Sequence, residues 1–153
     1  MKSQFTLHPC QGLGDEAIAD PNKVAIARQL YFTVCVFGDK TEMLDYAADR
    51  LYCTDLDDSI GAMVHPYTRE TVHKDGSTTV LPDLGYILFY VGYLTTEVLA
   101  HESTHAAMAA IRHLSDRGFT EWDEELLAYM IGGMTQELVN KVCDLIEEPY
   151  QKP

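Results

Sequence analysis

Five consecutive residues carry the strongest chemical signal in this chain: His101-Glu102-Ser103-Thr104-His105. On a helix, side chains four apart lie on one face, one turn from each other, so both imidazoles can reach a single metal ion. Glu102 stands beside them, where a carboxylate can take a proton from water that a metal has made acidic. Zinc suits imidazole and carboxylate ligands, and a catalytic zinc site uses three protein ligands and keeps one position open. The neighbours Val98, Leu99, Ala100, Ala106 and Ala107 are uncharged, as suits a helix buried around a metal.

A third ligand must come from elsewhere in the chain. Met108 and Ile111 stand where the longer form HExxHxxGxxH needs Gly and His, so that form is excluded. A Glu from a following helix is the remaining option. Glu125 lies twenty residues after His105, and Ala128 and Gly132 fall on its helical face. Small residues there would let that helix approach the HExxH helix closely. Glu124 is the nearest substitute for Glu125, and Glu121 is a more distant one.

With His101, Glu102, His105, Glu125 and Ala128 in place, residues 95 to 133 resemble the gluzincins, the thermolysin-like branch of zinc peptidases. They also look like the small single-domain zincin-like proteins of phage and bacterial genomes. The resemblance implies a zinc ion held by His101, His105 and Glu125, with Glu102 as general base, and a peptide or protein substrate. Two positions depart from the pattern. Tyr129 stands where an Asp commonly supports a zinc-bound His, so another group must orient that ring. No downstream His or Tyr is marked as the oxyanion stabiliser, which leaves Tyr129, His113 and His65 as candidates for the transition state or the cleft. A zinc hydrolase acting on a non-peptide amide is a further option. A non-catalytic acidic interaction or inhibitor protein that keeps a structural zinc is the alternative from another class.

The elements that must position these groups read as one α+β domain over residues 1–153: a small mixed or antiparallel sheet packed on a backing helix, the HExxH helix and a long C-terminal helix. Leu30 to Phe37 is rich in β-branched and aromatic residues and predicts a central strand. Asp39 with Glu42 has capping-box form and opens a helix that continues to about Cys53. Tyr67 to Val72 predicts a strand, Asp75-Gly76 a turn, and Thr78 to Leu81 the return. Tyr86 to Val91 predicts a strand; placed at the sheet edge above the cleft, it could pair with an extended peptide. Helices follow over about Thr95 to Leu114 and Thr120 to Ile146, with Gly132-Gly133 a candidate kink. Trp122 and Tyr129 read first as packing residues between them. Residues 1 to 22, with Pro9, Gly12, Gly14 and Pro21, read as a loosely packed lead-in.

Composition narrows the setting. The net charge of −13 repels nucleic acid. Residues 1 to 6 lack the apolar run of a signal peptide, and Leu84 to Leu99 is too short and too polar to span a bilayer, so the expectation is a soluble, cytoplasmic protein that needs no membrane. Cys10, Cys35, Cys53 and Cys143 form no CxxC pair and read as free thiols. Asp55, Asp57 and Asp58 lack the spacing of a calcium loop. Neither the oligomeric state nor the identity of the substrate is legible.

Overall fold

The computed structural model describes residues 1–18, 21–114 and 121–145. Its strands are β1 (Ser3–Leu7), β2 (Tyr31–Phe37), β3 (Ala62–Pro66), β4 (Glu70–Val72), β5 (Thr78–Val80) and β6 (Asp83–Tyr90). Its α-helices are α1 (Val24–Gln29), α2 (Lys40–Leu51), α3 (Thr96–Leu114) and α4 (Glu121–Val142). The architecture is α+β. Four strands form a mixed sheet in the order β1-β2-β6-β3, and β4 pairs with β5 in a separate hairpin. β2 and β6 run parallel, while β1 and β3 are antiparallel to their neighbours.

Strand period two explains the layers. Phe32, Val34, Val36, Ile87 and Phe89 point to one face and pack with α3 and α4. Cys35, Phe37 and Leu88 point to the other, against Met43, Ala47 and Leu51 of α2. Both central strands are therefore apolar without alternation, because both of their faces are covered. The α2 cap follows from sequence: the Asp39 side chain accepts a hydrogen bond from the Glu42 amide at 2.9 Å.

Several elements differ from the sequence-based expectation. Residues 3–7 are a paired edge strand rather than a loose lead-in, and Leu7, Cys10 and Ile18 are buried behind it. Of the strand expected over Tyr67 to Val72, only Glu70–Val72 forms, as β4, and it pairs across the Asp75-Gly76 turn with β5 as expected; β3, which stops at Pro66, is a further strand ahead of it. Proline has no amide to donate and is tolerated at such an edge. β6 is not an edge strand, because β2 and β3 flank it; the free edge beside α3 belongs to β3. Gly132-Gly133 leaves α4 unbroken, and a Cβ on either would meet nothing within 4 Å. The expected end of that helix at Ile146 lies outside the described residues.

One glycine is structurally required. Gly85 has φ +126°, and a Cβ there would lie 2.1 Å from the His65 carbonyl oxygen. It sits where the β2–β6 register slips between Tyr31 and Thr33, so it absorbs the irregularity at a point of close backbone approach.

Candidate metal and catalytic site

α3 buries Leu99, Ser103, Ala106, Ala107 and Ala110 and leaves His101 and His105 exposed on its opposite flank. One turn apart, the two rings meet with centroids 4.8 Å apart and an interplanar angle of 72°. Their Nε2 atoms are 3.2 Å apart. Two nitrogens each about 2.05 Å from one zinc, and separated by that 3.2 Å, subtend about 103° at the metal, close to the tetrahedral value. The pair thus fits two adjacent positions of a zinc site. In the metal-free chain the same spacing is that of an N–H···N hydrogen bond between one imidazole protonated on Nε2 and one that is not.

Glu102 is buried against this pair. Burial pushes its carboxyl above the usual carboxylate range, and the neighbouring His101 and His105 pull it back down. That is the environment of a carboxylate able to hold a proton in transit. Glu102 and His101, with Glu97 one turn earlier on α3, open onto a cavity of about 350 Å³ whose other wall includes Gly61, Ala62 and Tyr93.

β3 and α3 run side by side from this point. Gly61 and Ala62 face His101 and Glu102, whereas Pro66 and Tyr67 share a 210 Å³ cavity with Ala109, Arg112 and His113. Five strand residues and eleven helix residues both cover about 16–17 Å, so the seam is roughly straight. His113 therefore lies at the far end of the seam, where burial and then the Lys23 charge lower its basicity.

The other sequence candidates lie elsewhere. Glu125 and Tyr129 line a 670 Å³ cavity with Leu13, Gly14 and Glu16 of the N-terminal loop. Among the described residues, no three His, Cys, Asp or Glu side chains are placed to hold a metal together. Ala128 and Gly132 are exposed and do not form the helix contact expected of them. The buried stripe of α4 is Leu126, Met130, Met134, Leu138 and Val142, and two residues along a helix is a turn of about 200°. Glu124 is exposed, and the Glu121 side chain lies outside the described residues, as does that of Trp122. His65 faces the α2 side of the sheet, with its Nδ1 3.4 Å from the Cys53 sulfur. Sequence reasoning missed β3 as the wall of the site; its signal, the three apolar residues Ala62-Met63-Val64 shortly before a proline, is short and weak.

No family model matches this chain, and no curated protein or solved structure is significantly similar to it. No helix among the described residues is long and apolar enough to cross a membrane.

Proposed function

We propose that the chain is a zinc-dependent hydrolase acting on peptide bonds. The observation that carries this reading is the 3.2 Å approach of the His101 and His105 Nε2 atoms beside the buried Glu102 carboxyl. His101 and His105 would hold the ion. The third position is assigned to the Glu125 carboxylate on the sequence pattern alone, since in this structure it lines the cavity against the N-terminal loop. A zinc ion bound there supplies Lewis acidity, polarising a carbonyl and acidifying water. Glu102 receives the proton on its carboxylate and returns it to the leaving nitrogen, a role its raised proton affinity suits.

β3 offers the means of holding an extended substrate. Tyr90 N–H donates to Gly61 C=O at 2.9 Å, and Tyr67 N–H donates to Leu84 C=O at 3.0 Å, so odd-numbered residues of this segment face β6. Ladder alternation then turns the N–H and C=O groups of Ala62 and Val64 outward. Pro66 ends this free edge. A peptide laid along it would pass His101 and Glu102 at one end.

The test is metal content by mass spectrometry on purified protein, wild type beside His105→Ala, followed by peptide hydrolysis by wild type and Glu102→Gln. The expected result is near one zinc per chain, lost in His105→Ala, and hydrolysis abolished with zinc retained in Glu102→Gln. A wild type that neither contains nor takes up zinc overturns the reading.

A further inference from the structure

We propose that Cys53 and His65 form a thiol–imidazole site, on the sheet face opposite the histidine pair, at which a small disulfide of the glutathione type modifies the chain. Ala62 and Val64 of β3 pack into the core shared with α3 and α4, whereas Met63 packs into the α2 core, so His65 projects on the α2 side. Cys53 reaches it from the end of α2. That helix closes at Tyr52, the one non-glycine residue with positive φ (58°) among the described residues, and the Cys53 amide donates back to Ala47 C=O at 2.9 Å. The turn swings the thiol over β3, with its sulfur 3.4 Å from His65 Nδ1 and 3.6 Å from Leu51 C=O.

The four cysteines are not equivalent. Cys10 and Cys35 are fully buried, and burial pushes the Cys10 thiol up to about 11. Cys143 is exposed, and its sulfur lies 3.4 Å from the Asn140 carbonyl oxygen and 3.7 Å from the Asp144 carboxylate. Cys53 is half-buried. Burial and then the Asp55 carboxylate raise its proton affinity, so near neutral pH it carries its proton and needs an acceptor to react. His65 Nδ1 is that acceptor. On this side the Tyr67 ring packs edge-on to His65 and Tyr86 is its cross-strand partner; Tyr46, Tyr90 and the buried Cys35 belong to the same cluster, and Asp83 and Arg69 sit at Tyr67. Burial and the hydrogen bond to Asp83 keep the Tyr67 phenol protonated.

In the reaction, the Cys53 sulfur attacks one sulfur of the disulfide. A new S–S bond forms as the old one breaks, oxidising Cys53 and reducing the departing sulfur. The thiol proton passes to His65 Nδ1 and then to the departing thiolate, which leaves as free thiol.

The full chain is incubated with oxidised glutathione from about pH 6 to about pH 9, and each cysteine is followed by peptide mass spectrometry. In the wild type, the Cys53 rate shows an inflection in the imidazole range. In His65→Asn, the inflection is lost and the rate near neutrality falls ten-fold or more, in keeping with loss of a general base. Cys143 is unchanged in both. Unmodified Cys53, or a wild-type profile without the imidazole inflection, overturns the proposal; so do equal Cys53 rates in wild type and variant. Labelling of Cys10 and Cys35 would reveal an unfolded variant, and the wild-type profile then decides alone.

Discussion

Thermal unfolding in the presence of zinc tests the metal site through stability alone. A ligand that binds only the folded chain stabilises it by about 2.7 kcal/mol at a hundred times its dissociation constant. For 153 residues, an unfolding entropy of about 2.1 cal/mol/K per residue gives about 0.32 kcal/mol/K, so the expected rise in Tm is about 8 °C. His105 is exposed, so His105→Ala in metal-free protein should move Tm by no more than about 2 °C, while zinc should then move it by about 1 °C or less. Glu125→Gln separates the third ligand from the pair. Its side chain is exposed in this conformation, so metal-free stability is unchanged. A ten-fold loss of affinity would cut the zinc-dependent shift to about 4 °C at the same zinc concentration. The assay is scanning calorimetry of chelator-treated protein over a zinc series. A wild-type Tm unmoved by zinc, or an equal shift in His105→Ala, would refute the reasoning; an equal shift in Glu125→Gln alone would remove that residue from the site.

Other outcomes follow from the same geometry. Glu102 has a raised proton affinity in the fold, so the metal-free folded state binds its proton more tightly than the unfolded chain does, and stability falls as pH rises through and above the usual carboxylate range. Glu102→Gln should flatten that fall in a pH series of urea unfolding; an unaltered slope would count against the buried carboxyl. Gly85→Ala, at φ +126° and 2.1 Å from the His65 carbonyl oxygen, should cost about 3 kcal/mol or more, whereas Gly132→Ala, with open space around its Cβ, should gain about 0.5–1 kcal/mol by the same unfolding assay. In hydrogen exchange, a peptide bound at the zinc site should slow the amides of Ala62 and Val64 and leave those facing β6 unchanged. Protection confined to β6 would place the peptide elsewhere.

Much of the architecture was legible because single stretches of sequence determine it. Leu30 to Phe37 and Tyr86 to Val91 are apolar on both alternating faces, which only strands covered on both sides tolerate. Asp39 and Glu42 announce the start of α2, and the HExxH spacing places its two histidines together on any helix. What was misread depended on partners distant in sequence. Ser3 to Leu7 alternates over only five residues and gains its strand identity from β2. Ala62 to His65 is half-buried and Pro66 is exposed, and the place of this strand at the edge follows from β6 pairing with β2 as well. The α4 face was misassigned because Ala128 and Gly132 suggested close packing, while the large residues recurring every four positions from Leu126 to Val142 specify the opposite face. The Cys53–His65 pair is invisible in sequence, since the two residues meet across a connection whose path the chain alone does not reveal.

The short free edge of β3 also bears on solubility. An open strand is a template for other copies as well as for a substrate, and long, regular, apolar edges seed fibrils. Here only Ala62 and Val64 turn both backbone groups outward before Pro66 removes the next donor, so a growing stack of chains would find too few bonds to propagate. The same proline that limits how much of a peptide this edge can grip also limits how far a second copy can pair along it.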